Sequence, residues 1–381
     1  MTKPLGCPRR PPPRPPFRAG RGGAATPPPV FPGRSLGALL LLAVLVAGCI
    51  DPVSLEIEGE GDRLVVEASV AEGPGPHLVQ LSYVAAFERG IDALEEPVTG
   101  ARVTVTRDDG AAFAVVGRGL GAYTTERGAL VGEVGRSYAL RVELPDGRVF
   151  ESTPETMRPA PPLVRAYTDF LRDTVLVGTT LAQRPAVVLF AEAANPPDEA
   201  NYYRWMWTGE FMTFVQSRPN ESPFPTLQPC YIRRRGGFVE VSDDRLTTSA
   251  TLPRRRIETF PFYGTGMDFY GGYAITVEQQ ALTDDAYSFW SRVRDTRDRA
   301  GGLFDPPPSA IVGNVANVDD ELDYALGYFT VAGASRKELC TRLLDFNNRP
   351  PFSPPRPRWG RCEDLGGSPT PSPAYDVCVA P

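Results

Sequence analysis

The chain has 381 residues, with 40 Lys and Arg against 46 Asp and Glu for a formal net charge of −6, 41 prolines, 37 glycines, six cysteines and one histidine. The acidic balance argues against a nucleic-acid partner and against a basic membrane-binding face. A lone histidine, with no Gly-x-Ser-x-Gly elbow, His-Glu-x-x-His helix or phosphate-cradling glycine loop, disfavours the common hydrolase chemistries. Abundant proline and glycine at 42% hydrophobic content call for many turns and few long helices, so an all-β chain is the first expectation.

The first 34 residues are rich in proline and arginine, lack hydrophobic periodicity and are given no structure. Initiation at or near Val30 would leave Arg34 as the positive flank of the apolar run that follows. That run, Leu36–Val46, has eleven residues. It is too short to cross a hydrocarbon core of about 30 Å but suits the apolar region of a signal peptide. The small pair Ala47-Gly48 before Cys49 matches a lipobox, which makes Cys49 the expected lipid-attachment residue and the first residue of the mature chain. Residues 1–48 are thus read as leader and signal peptide, and 49–62 as a tether. Removing residues 1–48 takes away seven basic residues and no acidic one, leaving 33 against 46, a net charge of −13. Asp51, Glu56, Glu58, Glu60 and Asp62 make the tether acidic, which fits surface export without deciding between the periplasmic and extracellular faces.

From residue 63 to 153 short β-patterned runs follow one another. Leu64–Val70 and Leu78–Tyr83 are bounded by Gly or Pro, and Ala101–Thr106 alternates and ends in the hairpin signal Asp108-Asp109-Gly110. Gly121–Thr124, Ser137–Val142 and Arg148–Glu151 follow. About seven evenly spaced strands in about 100 residues predict an immunoglobulin-like or carboxypeptidase-regulatory-like β-sandwich. The only histidine, His77, follows the turn Gly73-Pro74-Gly75-Pro76 and is read as structural.

A proline-rich stretch, 154–162, is read as a linker to a larger β-rich domain, 163–335. In it Ala186–Phe190 and Asn201–Trp207 are strands. Tyr203, Trp205 and Trp207 share one face of the second strand, because side chains alternate with period two. Such a face either packs in a core or stacks on a ligand such as a sugar. The aromatic stretch Tyr263–Tyr273 adds to the second reading. One amphipathic helix is predicted: Thr283 caps it, Asp284 and Asp285 suit its N-terminal dipole, Ala286, Phe289, Trp290 and Val293 form its apolar stripe, and Gly301-Gly302 ends it.

Four cysteines, Cys230, Cys340, Cys362 and Cys378, remain for the exported chain. They allow two disulfides in three connectivities, and their spacing lacks the Cys-x-x-Cys knuckle of a zinc site. Three of them lie in the last 42 residues, so the segment 336–381 is read as a Cys- and Pro-rich tail held by covalent bonds. The runs Arg233–Arg235 and Arg254–Arg256 interrupt the acidic surface and are expected to flank a hairpin carrying Asp243 and Asp244. They are read as solvated strand ends, with an anionic partner as the alternative. Asp319, Asp320, Glu321 and Asp323, near Asn314 and Asn317, are read as a solvated loop, with calcium as the alternative. No catalytic residue, metal or cofactor is assigned.

The runs Val277–Leu282, Tyr287–Trp290, Gly301–Pro306, Gly313–Val315 and Leu326–Phe329 resemble the family catalogued as domain of unknown function 4249. Cys49 with Leu64–Glu67, Pro97–Val103, Gly121–Tyr123 and Tyr203–Trp205 agree in the same order. Members of that family are lipoproteins of the Bacteroidota, often encoded beside TonB-dependent outer-membrane receptors. The chain departs from the pattern at its end, where Cys362–Gly367 is followed by a spacer, Ser368–Asp376, before Cys378. The resemblance implies an outer-membrane lipoprotein that serves a TonB-dependent nutrient-uptake system as an accessory; the aromatic strand and the Tyr263–Tyr273 stretch add a ligand-binding role, and the absence of catalytic motifs leads to the expectation that it is not an enzyme. Its expected partners are the membrane through Cys49, a TonB-dependent receptor and a glycan or peptide ligand. The alternatives are a structural or adhesive envelope protein without a small ligand and, remotely, a carboxylate-dependent glycan hydrolase.

Overall fold

The computed structural model describes residues 63–84, 95–177, 180–196, 202–216, 226–237, 239–247, 249–261, 269, 271–299, 311–320, 322–347 and 357–379. The expected leader, Cys49, the tether, Glu321, Gly301-Gly302 and most of the aromatic stretch before Tyr273 lie outside them.

The protein is mostly β. The first strands are β1 (Leu64–Ala71), β2 (Leu78–Val84), β3 (Glu95–Pro97), β4 (Arg102–Arg107), β5 (Ala112–Gly119), β6 (Ala122–Thr124), β7 (Ser137–Glu143), β8 (Val149–Ser152) and β9 (Glu155–Thr156). Then come β10 (Leu163–Val177), β11 (Thr180–Ala193), β12 (Tyr202–Gln216), β13 (Leu227–Arg235), β14 (Glu240–Asp243), β15 (Arg255–Pro261) and β16 (Tyr273–Ala281). Helix α1 (Asp284–Arg299), β17 (Val312–Asn317), β18 (Tyr324–Thr341), β19 (Arg358–Trp359) and helix α2 (Pro373–Val379) complete the order. The sequence-predicted strands of the first region all form, and Asp108-Asp109-Gly110 turns β4 into β5, with Gly110 at φ 84°.

Two separately edged sheets were expected in the first region. Hydrogen bonding instead follows one closed path, β1-β2-β6-β5-β4-β7-β8-β17-β18, and β18 returns to β1 in parallel register from Val65↔Leu326 to Ala71↔Ala332. Nine strands thus form a barrel-like ring around Leu64, Leu81, Leu140, Phe150 and Phe329, all buried. Burial of each such side chain is worth about 1.5–3 kcal/mol.

Two of the nine strands, β17 and β18, come from beyond residue 311, so the ring is not built by residues 63–153 alone. The described residues all belong to one unit, Glu58–Pro381. The expected linker is also built into the fold. Glu155 and Thr156 pair with β7, Met157 is buried, and the Arg158 carbonyl accepts from the Gly333 N–H at 3.0 Å.

Residues from the family-like runs make the closure possible. Gly327 sits at φ 89°, where a Cβ would collide with the Val66 carbonyl oxygen, and a Cβ on Gly313 would collide with the Gly327 carbonyl. Glycine is therefore required where three strands crowd together. Between Val312 and Ala316 the β17 ladder shifts register, and the Asn314 side chain fills the gap. Its Nδ2 donates to the Phe329 carbonyl at 3.0 Å, and its Oδ1 accepts from the Phe329 N–H at 2.9 Å.

The second half of β18 leaves the ring and starts another sheet, β18-β16-β12-β13, with β14 and β19 also on β12. A separate sheet, β10-β11-β15, shares an apolar core with it: Val187, Leu189 and Ile257 from one sheet meet Trp205, Phe211 and Val277 from the other. The predicted tail starts too early at 336, because Arg336–Thr341 completes β18. The two arginine runs do not flank one hairpin. Arg233–Arg235 ends β13, paired with β12, whereas Arg255 and Arg256 open β15, paired with β11.

Candidate functional site

The face of β12 expected to meet a ligand lies inside the two-sheet core. Tyr203, Trp205 and Trp207 are 1%, 1% and 6% exposed, too little for a bound sugar to stack on. Both indole N–H groups are satisfied within the protein. Trp205 Nε1 donates to Ser242 Oγ at 3.2 Å, and Ser242 in turn donates to Asp244 Oδ2 at 2.6 Å. Trp207 Nε1 donates to Glu258 Oε2 at 3.0 Å. Gly209 carries no Cβ because the Tyr273 ring occupies that space. The core reading of the aromatic strand therefore prevails over the ligand-platform reading.

Alternation sends the neighbouring residues of β12 to the opposite face. There the registers set out two parallel rows. One runs Arg235, Thr208, Thr276, Glu338 across β13, β12, β16 and β18, and the next runs Arg233, Glu210, Ala274, Cys340. A groove of about 460 Å³ lies over these rows, with Thr208, Gly209, Ala274 and Thr276 among its lining. Arg233 and Arg235 flank it on β13, and Ser372 and Ala374 close its end.

That closing wall is built from the tail. Ser372 caps α2, its Oγ accepting from the Tyr375 N–H at 3.3 Å, while its own N–H donates to Glu210 Oε2 at 3.1 Å and its hydroxyl to the same oxygen. Glu210 is buried, and its other oxygen accepts from Arg233 Nε at 3.4 Å. Tyr375 Oη donates to the Gly271 carbonyl at 2.7 Å, and a disulfide joins Cys340 to Cys378. The second disulfide is Cys230–Cys362, which ties β13 to the segment after β19. The four cysteines thus adopt one of the three connectivities open to the sequence.

Toward α1 the same face becomes apolar and then closes. Arg204 lies on the Trp290 ring, its guanidinium carbon 3.6 Å from the ring centroid, and desolvation pushes its pKa down to about 10, so the cation persists at neutral pH. Helix α1 forms as predicted: Thr283 Oγ1 accepts from the Ala286 N–H at 3.2 Å, and Ala286, Phe289 and Trp290 pack on Tyr202, Val241 and Tyr328. Thr283 also donates to Glu155 Oε2 at 2.6 Å, and the other Glu155 oxygen takes the Tyr328 hydroxyl and Asn314 Nδ2. Burial raises the Glu155 carboxyl above the usual range against the pull of these donors. The cluster fastens the ring, the former linker and the helix start together.

The remaining sequence candidates are tied off locally. His77 Nε2 lies 3.1 Å from the Leu130 carbonyl, and burial lowers its pKa, so the ring serves the turn as a neutral group. Asp284 pairs with Arg158 at 2.9 Å and Asp243 with Arg245 at 2.7 Å. Asp320 accepts from the Leu322 N–H, and Asp323 accepts from Asn317 Nδ2. Among the described residues no group of three or more His, Cys, Asp or Glu could hold a metal ion.

Sequence reasoning singled out the arginine run but missed Thr208, Glu210, Thr276 and Ser372. The available signal was the alternation itself, which assigns Thr208 and Glu210 to the face opposite Trp205 once the strand is extended past Trp207. A search of curated proteins returns no match. Residues 50–338 match the model of a family described as domain of unknown function DUF4249, and the chain belongs to that family.

Proposed function

We propose that the protein is an outer-membrane lipoprotein, anchored through Cys49, that works as a ligand-binding accessory of a TonB-dependent receptor in nutrient uptake. The groove on the outer face of β12 and β16 carries the ligand-binding part. It has the volume of a small-molecule site, and its lining sets arginine, threonine and serine side chains and the Glu210 carboxylate beside a glycine and two alanines. The lipobox carries the anchor, and the family match begins at Ile50, the residue after Cys49, which fits a mature chain starting there.

Two measurements test this reading. Metabolic labelling with a palmitate analogue should mark the wild type and not Cys49→Ala. Affinity isolation from detergent-extracted membranes should recover an outer-membrane receptor, and recovery of none removes the accessory role.

A structural or adhesive role is the second reading, favoured by the long β10–β11 hairpin. Its ladder continues from Leu171↔Ala186 to Val177↔Thr180, whereas β15 covers β11 only from Ala186 to Ala191. Failure of every ligand in a glycan array and thermal-shift screen, together with surface-assembly defects on deletion, would favour it.

A further inference from the structure

We infer that the groove is an oxyanion site, taking a small hydroxylated ligand whose carboxylate or phosphate is gripped by Arg233 and Arg235 while Thr208 and Thr276 meet its hydroxyls. This rests on the ligand-binding reading above and narrows it to a chemical class.

The two arginines are two residues apart on β13, so both rise from one face with backbones about 6.8 Å apart. Both are exposed. Arg235 makes no ion pair among the described residues. Arg233 reaches Glu210 only through Nε, which leaves its two terminal nitrogens for another acceptor. A guanidinium fork presents parallel N–H donors that match the oxygens of a carboxylate or phosphate.

Two acids stand in these rows: Glu338, exposed on β18 at the far end of the row from Arg235, and Glu210, beside Arg233, which does not offset the arginine charge for a ligand. Glu210 is buried and already takes the Ser372 N–H, the Ser372 hydroxyl and Arg233. It holds Arg233 in place and has little left to offer a cationic ligand. The β13 side of the groove therefore presents positive charge on a chain whose net charge is −6, a local reversal of sign that draws anions to this side.

Class is further narrowed by the floor. Thr208 and Thr276 are register partners across β12 and β16, and neither hydroxyl has a protein partner among the described residues. Each can donate and accept, as a polyol requires. The small side chain of Ala274, opposite Glu210, keeps the floor low beside them. A volume of about 460 Å³ suits one or two sugar-sized units rather than a folded partner.

Calorimetric titration of the detergent-solubilised full chain with glucose, glucuronate and glucose 6-phosphate tests the inference, because the three probes differ at one carbon. At least one acid should bind ten-fold or more tightly than glucose, and the preferred acid tells carboxylate from phosphate. Arg235→Ala should weaken that acid about ten- to hundred-fold, the loss expected for one charge-assisted contact, with an unchanged circular dichroism spectrum and melting temperature. Thr208→Val should weaken all bound probes by a smaller factor. Equal binding of glucose and the acids overturns the oxyanion class but leaves a ligand site standing. Wild-type affinity in Arg235→Ala, or no binding of any probe, overturns the inference itself, and receptor recovery then decides separately on the accessory role.

Discussion

Along β12, Tyr203, Trp205, Trp207 and Phe211 point into the space between two sheets, whereas Thr208 and Glu210 point into the groove beside α2. One strand thus supplies both the most apolar interior of the second region and its polar outer floor. The difference follows from cover. The β10-β11-β15 sheet lies over one side of β12, and on the other side α1 and the α2 segment cover opposite ends and leave the groove. An aromatic stripe is informative about which residues face the same way; whether that way is a ligand or a core depends on what the rest of the chain places against it.

Substitutions on the two faces should separate sharply. Trp205→Ala removes a side chain that is 1% exposed and leaves Ser242 Oγ, the donor to Asp244, without its indole donor. A loss of about 3–5 kcal/mol is expected in urea unfolding. A loss below about 1 kcal/mol, as for an exposed platform, would break the contrast.

Removing each disulfide sharpens it next. Cys230–Cys362 closes a separation of 132 residues and Cys340–Cys378 one of 38. Replacing both members of the first pair by serine should cost about 2–5 kcal/mol, and replacing both of the second somewhat less. Because the second pair holds α2, its loss should also weaken acid binding in the groove, whereas loss of Cys230–Cys362 at matched stability should do so less. Calorimetry on the two variants compares them.

A smaller effect is expected from Glu155, away from both faces. Burial raises its carboxyl, so the folded state holds the proton more tightly than the unfolded chain does. Its contribution is full below the ordinary carboxylate range and is lost as pH rises through the raised value. Glu155→Gln should therefore flatten the fall in melting temperature on the rising-pH side of that range. An unchanged slope would show that the cluster does not titrate. Smallest of all, Thr208→Val should move stability by less than about 0.5 kcal/mol, since the hydroxyl has no protein partner to lose.

Much of the fold can be read in the sequence where periodicity is local. Strands β1, β2, β4, β6, β7 and β8, the β4–β5 turn and the Thr283 cap follow from alternation, Asp-Gly and an N-cap residue, whereas β3 and β5 are not singled out this way. What the sequence could not reveal is long-range. Closure of the ring depends on β1 meeting β18 across some 260 positions in the chain, and Gly313, Asn314 and Gly327 have meaning only once three strands converge there. Pro154–Pro162 reads as a linker because proline disfavours ladders, yet Glu155 and Thr156 find β7 and a carboxylate node. For the candidate site, Arg233–Arg235 and the four cysteines were visible, but Glu210 and Ser372 sit 162 positions apart and share no local signal.

Both faces of β12 can be watched at once by nuclear magnetic resonance, following the threonine γ-methyl signals of Thr208 and Thr276 and the indole N–H signals of Trp205 and Trp207 while the tighter-binding sugar acid is added. Saturable shifts are expected at the two threonines with the two indoles unmoved. Saturable shifts at the indoles, with silent threonines, would place the ligand on the aromatic face instead.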